Sequence, residues 1–263
     1  MAVITVDFTS ISIMKRTTFR VILPIEWNWT SNPYEKEIKP FRTLYLLHGI
    51  FGDSSDWILN TEIERYATQH QIAVVMPSGD NSFYLDNEIR NDNYGKYIGE
   101  ELVAYTRKMF PLSSNREDTF IGGLSMGGYG AIRNGLKYSD TFGAIIGLSS
   151  ALVNYVVPES DNEKDFFIQR RSYFESIFGD LDKLTVSDKN PDALIMKLIE
   201  SKKKIPRIYM ACGTEDDLLG VGRHFKDFLI DHKVEHEYKE APGVHDWIFW
   251  NTFIQDALQW LDI

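Results

Sequence analysis

The sequence predicts an α/β fold with a mostly parallel central sheet flanked by helices, and two observations carry that prediction. First, five short runs are apolar continuously rather than at every second position: Thr43–Leu47, Ile72–Met76, Thr119–Gly122, Phe142–Leu148 and Arg207–Ala211. Strands covered on both faces read this way, and such strands belong to parallel sheets. Second, helical patterns fall between these runs, and strands alternating with helices build βαβ units. The 263 residues hold no internal repeat and no Gly/Ser- or Pro-rich linker. Residues 1–263 are therefore expected to form a single domain around a substantial core.

Each element has its own local reason. The opening MAVITVDFTSISIMKR alternates as a strand does, and it lacks the positive leader and long apolar block of a secretory signal. Thr17–Leu23 is a second β-rich run. YIGEELVAYTRKMF, residues 97–110, places Ile98, Leu102, Tyr105 and Met109 on one helical face and stops at Pro111. Met126–Tyr138 is a helical stretch rich in small residues. NPDALIMKLIESKKK opens with Asn190 as N-cap, Pro191 at the first helical position and Asp192 in the first turn, and closes on lysines. Glu235–Tyr238 supplies a last strand, and Phe225–His232 and Trp247–Leu261 the last two helices. Residues 150–187 interrupt the alternation with charges and aromatics but no strand pattern. A lid or cap inserted between two core strands is expected there, because long excursions of this kind are usually functional.

Composition narrows the function classes. Hydrophobic residues make up 43% and charged residues 25%, as in an ordinary soluble globular protein, and no apolar run reaches the length of a membrane-spanning helix. A formal charge of −10 argues against nucleic acid or an anionic membrane as partner. The single cysteine, Cys212, forbids an internal disulfide and suits a cytoplasmic location. No HExxH, paired CxxC or EF-hand spacing occurs, so no metal and no other cofactor is expected. A homo-oligomer is compatible with the sequence.

The chemistry concentrates at GGLSMGGYGA, residues 122–131. Gly123-Leu124-Ser125-Met126-Gly127 fits G-x-S-x-G, with a buried strand before it and a helix after it. There a serine stands on a strained strand-to-helix turn, and the residues two positions either side must be small because strand and helix cross. The competing reading is a packing turn or a phosphate-cradling loop. The stretch lacks the lysine of a P-loop, and no acidic residue closes a following strand at the dinucleotide-fold distance.

A serine hydroxyl needs a base to take its proton and an acid to orient that base, in the chain order Ser, Asp or Glu, His. His224 and His232 lie in a helical pattern and His236 in a strand pattern. His245 lies in APGVHDW, a loop after the last strand, and is the expected base. CGTEDD follows the strand Arg207–Ala211 and offers Glu215, Asp216 and Asp217. A glycine, two residues and an acid picks Asp216, with Asp217 as runner-up; either aspartate would also serve as a turn or cap residue. The oxyanion donors are expected from the N–H of Met126 and, in LLHGIFGDSSDW, the N–H of Ile50. His48 is read as a structural hydrogen-bonding residue. Trp57, Phe83, Tyr84, Trp247 and Trp250 are candidates to line a substrate pocket, although most aromatics must be core.

At these residues the sequence resembles the esterase D family of α/β-hydrolases, and within it the small bacterial tributyrin esterases. The matching pieces are LYLLHGIFGDSSDW, VVMPSGDNSFY, EELVAYTRKMFP, TFIGGLSMGGYGA, IFGDLDKLTVSDKNPDAL, CGTEDDLL and GVHDWIFWNTFIQDALQWL, in the family's order from Phe41 to the C-terminus. The resemblance implies Ser125 as nucleophile, Asp216 as acid, His245 as base, and the amides of Ile50 and Met126 as oxyanion hole. It further implies a serine carboxylesterase that acts on small-molecule esters of short acyl chains without a cofactor. S-formylglutathione hydrolases and feruloyl or acetylxylan esterases are related alternatives. LLHGIFG departs from the serine-glycine-leucine-threonine-cysteine stretch common in the glutathione-thioester branch. The first forty residues and the segment 150–187 resemble the family less and are expected to set the substrate. Of another class is an idle family member that only binds a ligand, against which the intact Ser, Asp and His argue. Acyl transfer to an acceptor other than water is a third alternative.

Overall fold

The computed structural model of the protein describes residues 1–25, 39–87 and 89–261. The N-terminal stretch folds as β1 (Ala2–Ser10) and β2 (Lys15–Leu23), paired antiparallel. β3 (Arg42–Leu47) follows, then two short helices, α1 (Asp56–Asn60) and α2 (Ile63–Gln69), and β4 (Ile72–Pro77). A small hairpin, β5 (Asp86–Asn87) with β6 (Asp92–Asn93), precedes α3 (Tyr94–Lys96), a π-turn (Tyr97–Glu101) and α4 (Leu102–Met109). β7 (Thr119–Leu124), α5 (Met126–Lys137) and β8 (Ala144–Leu148) form the centre. After them come α6 (Arg171–Phe178), α7 (Pro191–Glu200), β9 (Arg207–Gly213), α8 (Leu219–Asp231), β10 (His236–Ala241) and α9 (Trp247–Leu261).

Among the described residues the large sheet has eight strands in the order β1-β2-β4-β3-β7-β8-β9-β10. β2 meets β4 antiparallel, and from β4 to β10 every neighbouring pair is parallel. The continuous apolar runs are explained by where alternate side chains go. Tyr45, Leu47, Val75, Ile121 and Ile145 enter a core with α4, α5 and α8, whereas Leu44, Leu46, Val74, Phe120 and Ile146 enter a second core with α1, α2 and α9. With both faces covered, the inner positions of these strands are apolar on either side.

The π-turn changes one expectation. Ile98 and Leu102 are buried as the helical periodicity requires, but Met109 is 46% exposed and Thr106 is fully enclosed. A π-turn adds a residue to the helical turn and so shifts the phase of everything after it. Thr106 thereby faces the core, donating to Leu102 O (2.8 Å) and meeting the Tyr45 hydroxyl at 2.8 Å. Two other boundaries move: α8 begins at Leu219, ahead of Phe225, and the strand begins at Ala144 rather than Phe142. Asn190 caps α7 as expected, its side chain accepting from the Asp192 N–H.

Residues 150–187 hold no strand among the described residues. They form 3₁₀ turns at Val153–Tyr155, Val157–Glu159, Phe167–Gln169 and Leu181–Val186 around α6. Phe178, at the end of α6, packs on Phe83 and Tyr129 with ring centroids 5.3 and 5.7 Å apart. The segment 26–38, within the stretch expected to help set the substrate, lies outside the described residues.

Candidate active site

Ser125 occupies the single residue between β7 and α5, with φ +53° and ψ −119°. An L-residue in this region is strained by roughly 1–3 kcal/mol and persists only where its surroundings hold it. They do so here with three backbone hydrogen bonds. The Ser125 N–H donates to Leu148 O (2.9 Å), and Ser125 O accepts from Ala151 N (2.9 Å) and Tyr129 N (3.0 Å).

The flanking glycines are explained by backbone contact. A Cβ on Gly123 would lie 2.3 Å from Gly127 O, and a Cβ on Gly127 would lie 2.5 Å from the carbonyl oxygens of both Leu47 and His48. The start of α5 is thus pressed against the ends of β7 and β3, and no flexible side chain is there to yield. Gly127→Ala is expected to lower the free energy of unfolding by about 3 kcal/mol or more, at the upper end for overpacking. A urea midpoint within error of the wild type would contradict this account of the crossing.

Two loops bring the remaining polar groups to the hydroxyl. His245, between β10 and α9, stands with Nε2 3.0 Å from Ser125 Oγ and Nδ1 2.9 Å from Asp216 Oδ2. Nδ1–H therefore donates to the carboxylate, which leaves Nε2 to accept the serine proton. The His245 side chain is about one-third exposed, whereas that of Asp216 is fully enclosed. Burial alone would raise the Asp216 carboxyl, but hydrogen bonds from His245, the Leu218 N–H and Ser149 outweigh it and hold the group below the ordinary carboxylate value. The Leu218 N–H meets Asp216 Oδ1 at 2.8 Å. Asp217, one residue on, is exposed. Trp250 sets its ring edge-on to His245 at a centroid distance of 4.9 Å and donates from Nε1 to Ser149 Oγ (3.1 Å). Ser149 and its link from Trp250 to Asp216 had no signal in the sequence beyond position after an apolar strand.

The loop after β3 passes beside the same residue. A Cβ on Gly49 would lie 3.7 Å from Ser125 Cβ. Within this loop the orientation of one peptide is fixed by His48. Its Nε2 accepts the Gly79 N–H (2.8 Å), so Nδ1 carries the proton and donates to Gly49 O (2.7 Å). Burial keeps the ring's pKa below its usual value, in line with a neutral imidazole. Gly49 O and the Ile50 N–H belong to one trans peptide and point opposite ways. Fixing the carbonyl therefore aims the N–H away from the ring. The Met126 N–H opens α5, where helix geometry leaves it without an intrahelical partner and the helix dipole favours negative charge.

The aromatics expected at a pocket divide. Trp57 and Tyr84 are enclosed, at 1% and 0% exposure, and their polar ends hold backbone: Trp57 Nε1 donates to Leu47 O and the Tyr84 hydroxyl to His48 O, each at 3.0 Å. They brace the β3 loop from behind rather than offering a wall to a ligand, since buried aromatic rings with N–H or O–H groups seek such partners. Phe83 is buried against Tyr129 and Phe178. Trp247 is half-buried, edge-on to Trp57 and Trp250. Cys212 is buried, and burial first, then the nearby Asp216 charge, pushes its thiol up to about 12. That thiol stays protonated and inert. Among the described residues no three His, Cys, Asp or Glu side chains cluster as metal ligands, and no helix is long and apolar enough to cross a membrane.

Comparison with known proteins places this geometry in a family. The family model described as "Putative esterase" matches residues 10–261. An acetyl esterase of Caldicellulosiruptor saccharolyticus is 41% identical over 263 residues, covering 99% of this chain and 98% of that protein. The fluorophosphonate-binding serine hydrolase F of Staphylococcus aureus superposes with a TM-score of 0.87 at 31% identity, covering 100% of this chain and 98% of the other. An S-formylglutathione hydrolase from the same organism gives 0.85 at 32% identity, covering 100% and 99%. With its sheet order, its serine bend and these relatives taken together, the chain belongs to the esterase family and is a serine carboxylesterase of α/β-hydrolase fold.

Proposed function

We propose that Ser125, His245 and Asp216 hydrolyse short-chain acyl esters through an acyl-enzyme, with the amides of Ile50 and Met126 holding the oxyanion. Ser125 Oγ attacks the ester carbonyl carbon as its proton passes to His245 Nε2. The carbonyl oxygen becomes an oxyanion, stabilised by preorganised N–H donors. His245 then returns the proton to the departing alkoxide as the C–O bond breaks. A water, deprotonated by the same nitrogen, adds to the acyl carbon. Collapse of the second tetrahedral intermediate frees the carboxylic acid, and Oγ regains its proton from the imidazole. Asp216 stays ionised throughout, holding the ring orientation and stabilising the imidazolium.

The observation that carries this reading is the unbroken chain from Ser125 Oγ to His245 Nε2 (3.0 Å) and from His245 Nδ1 to Asp216 Oδ2 (2.9 Å). The segment 150–187 acts as a cover within one domain. That role is supported by the hydrogen bond from the Ala151 N–H to Ser125 O and by the packing of Phe178 on Phe83 and Tyr129. One cysteine and a net charge of −10 support work in the cytoplasm without nucleic acid or anionic lipid as partner.

A short acyl group is supported by the relatives, named for acetyl and formyl transfer to water. A panel of p-nitrophenyl esters from acetyl to octanoyl, with feruloyl esters, acetylated xylo-oligosaccharides and S-formylglutathione beside it, tests the assignment. The expected result is a maximum kcat/KM at two to four acyl carbons and a fall of roughly tenfold or more by octanoyl, the size of a pocket's discrimination over added methylenes. A maximum at octanoyl, or on the feruloyl or glutathione substrate, would move the enzyme to another branch of the family.

A further inference from the structure

Glu215 directly precedes Asp216 and is exposed, yet it closes on a single residue of the loop that carries His245. Its N–H donates to Gly243 O (3.1 Å), and its carboxylate Oε2 accepts from the Gly243 N–H (2.7 Å). Thr214 Oγ1 donates to the other carboxylate oxygen (2.8 Å) and so orients the group. One position earlier, the Thr214 N–H donates to Ala241 O (2.9 Å).

The register shows where this contact acts. The parallel pairing of β9 with β10 ends at Gly213 opposite Ala241. Pro242 follows, and past it the two chains meet as loops. The two loops are already in backbone contact, since a Cβ on Gly213 would lie 2.1 Å from Gly243 O. There the Gly243 N–H is taken by the Glu215 side chain rather than by a backbone carbonyl of β9. Its pKa is lowered, first by the Gly243 N–H and then by the Thr214 hydroxyl, so the acceptor is ionised at neutral pH. Gly243 lies two residues before His245, and Glu215 one before Asp216. The 215–243 closure therefore stands beside the 216–245 pair.

We infer that Glu215 is a positioning residue for the esterase reaction: it clamps the His245 loop to the Asp216 loop and so sets the reach of the imidazole to both Ser125 and its carboxylate. The inference rests on the roles of Ser125, His245 and Asp216 stated above. Without the carboxylate, Gly243 keeps only the hydrogen bond from the Glu215 N–H to its carbonyl, and the imidazole samples positions from which proton transfer is slow. The effect is expected in the chemical step, because both carboxylate oxygens are engaged by Thr214 and Gly243.

The test compares Glu215→Ala and Glu215→Gln in the full chain with p-nitrophenyl acetate, and follows Ser125 phosphonylation by a fluorophosphonate. Glutamine restores both contacts: Oε1 accepts the Gly243 N–H, and Nε2 donates to the Thr214 hydroxyl, which can also accept. Glu215→Ala is expected to lower kcat about 10- to 100-fold, the size of a positional error near an ångström, with KM within about twofold and phosphonylation slowed in step. Glu215→Gln is expected within about threefold of wild type in all three. An alanine variant with wild-type kcat, one in which KM alone rises, or a glutamine variant as slow as alanine would each overturn the clamp. Turnover surviving in Ser125→Ala would instead remove the underlying reading, and that control keeps the two failures apart.

Discussion

Ser125→Ala is expected to reduce p-nitrophenyl acetate turnover by about 10⁴- to 10⁶-fold while far-UV circular dichroism stays unchanged. Loss of any member of such a triad leaves only the rate due to the oxyanion donors and binding. The magnitude follows from chemistry rather than stability. The three hydrogen bonds that hold the bend all use backbone atoms of Ser125. Its removal shortens the side chain by one oxygen at a site already about 9% exposed. The same variant should also lose covalent labelling by a fluorophosphonate, a readout independent of the ester chosen. Residual hydrolysis within tenfold of wild type would require another nucleophile and would end the proposed mechanism.

Asp216→Asn is the second large effect, expected to lower kcat about 10³- to 10⁴-fold, because an amide nitrogen facing the ring inverts the tautomer that Nε2 must present. Asp217→Asn is expected to stay within about threefold, as for an exposed surface change. The contrast is sharp because the two residues are neighbours with opposite surroundings: Asp216 accepts from His245 and the Leu218 N–H, while Asp217 faces water. Equal losses, or a larger loss at Asp217, would move the acid by one position. The pH consequence has a definite sign. Asp216 is held below its ordinary value of 3.8, so the unfolded chain binds more protons than the folded one in that window. Its contribution to stability is complete above that value and is lost as pH falls through the lower folded pKa. The acid stays ionised across the range in which an esterase is assayed.

Parts of the architecture that a single sequence reveals are those where one physical demand acts on many residues together. β3, β4, β7, β8 and β9 read as continuous apolar runs because both faces of each are covered. The α7 cap was legible because Asn190 and Pro191 act within one turn. Shorter elements escaped. α1 and α2 span five and seven residues, too few for a helical period to stand out from the flanking loop. The π-turn at Tyr97–Glu101 left no mark in the periodicity, yet it turned Met109 outward and Thr106 inward. Trp57 and Tyr84 resemble pocket aromatics in sequence, since a ring that braces a carbonyl and one that meets a ligand have the same composition.

By itself, the sequence determined a parallel α/β sheet, a serine on a bend cleared of bulk, and a histidine on the loop before the last helix. These follow from patterns in which steric or solvation requirements repeat along neighbouring positions. Only the tertiary structure showed which of three consecutive acids meets the His245 ring, how His48 aims the peptide before Ile50, and that Glu215 spans to Gly243. Adjacent carboxylates are chemically alike. What separates them is the direction each leaves the backbone and which distant loop lies there, and that depends on contacts between residues far apart in the chain.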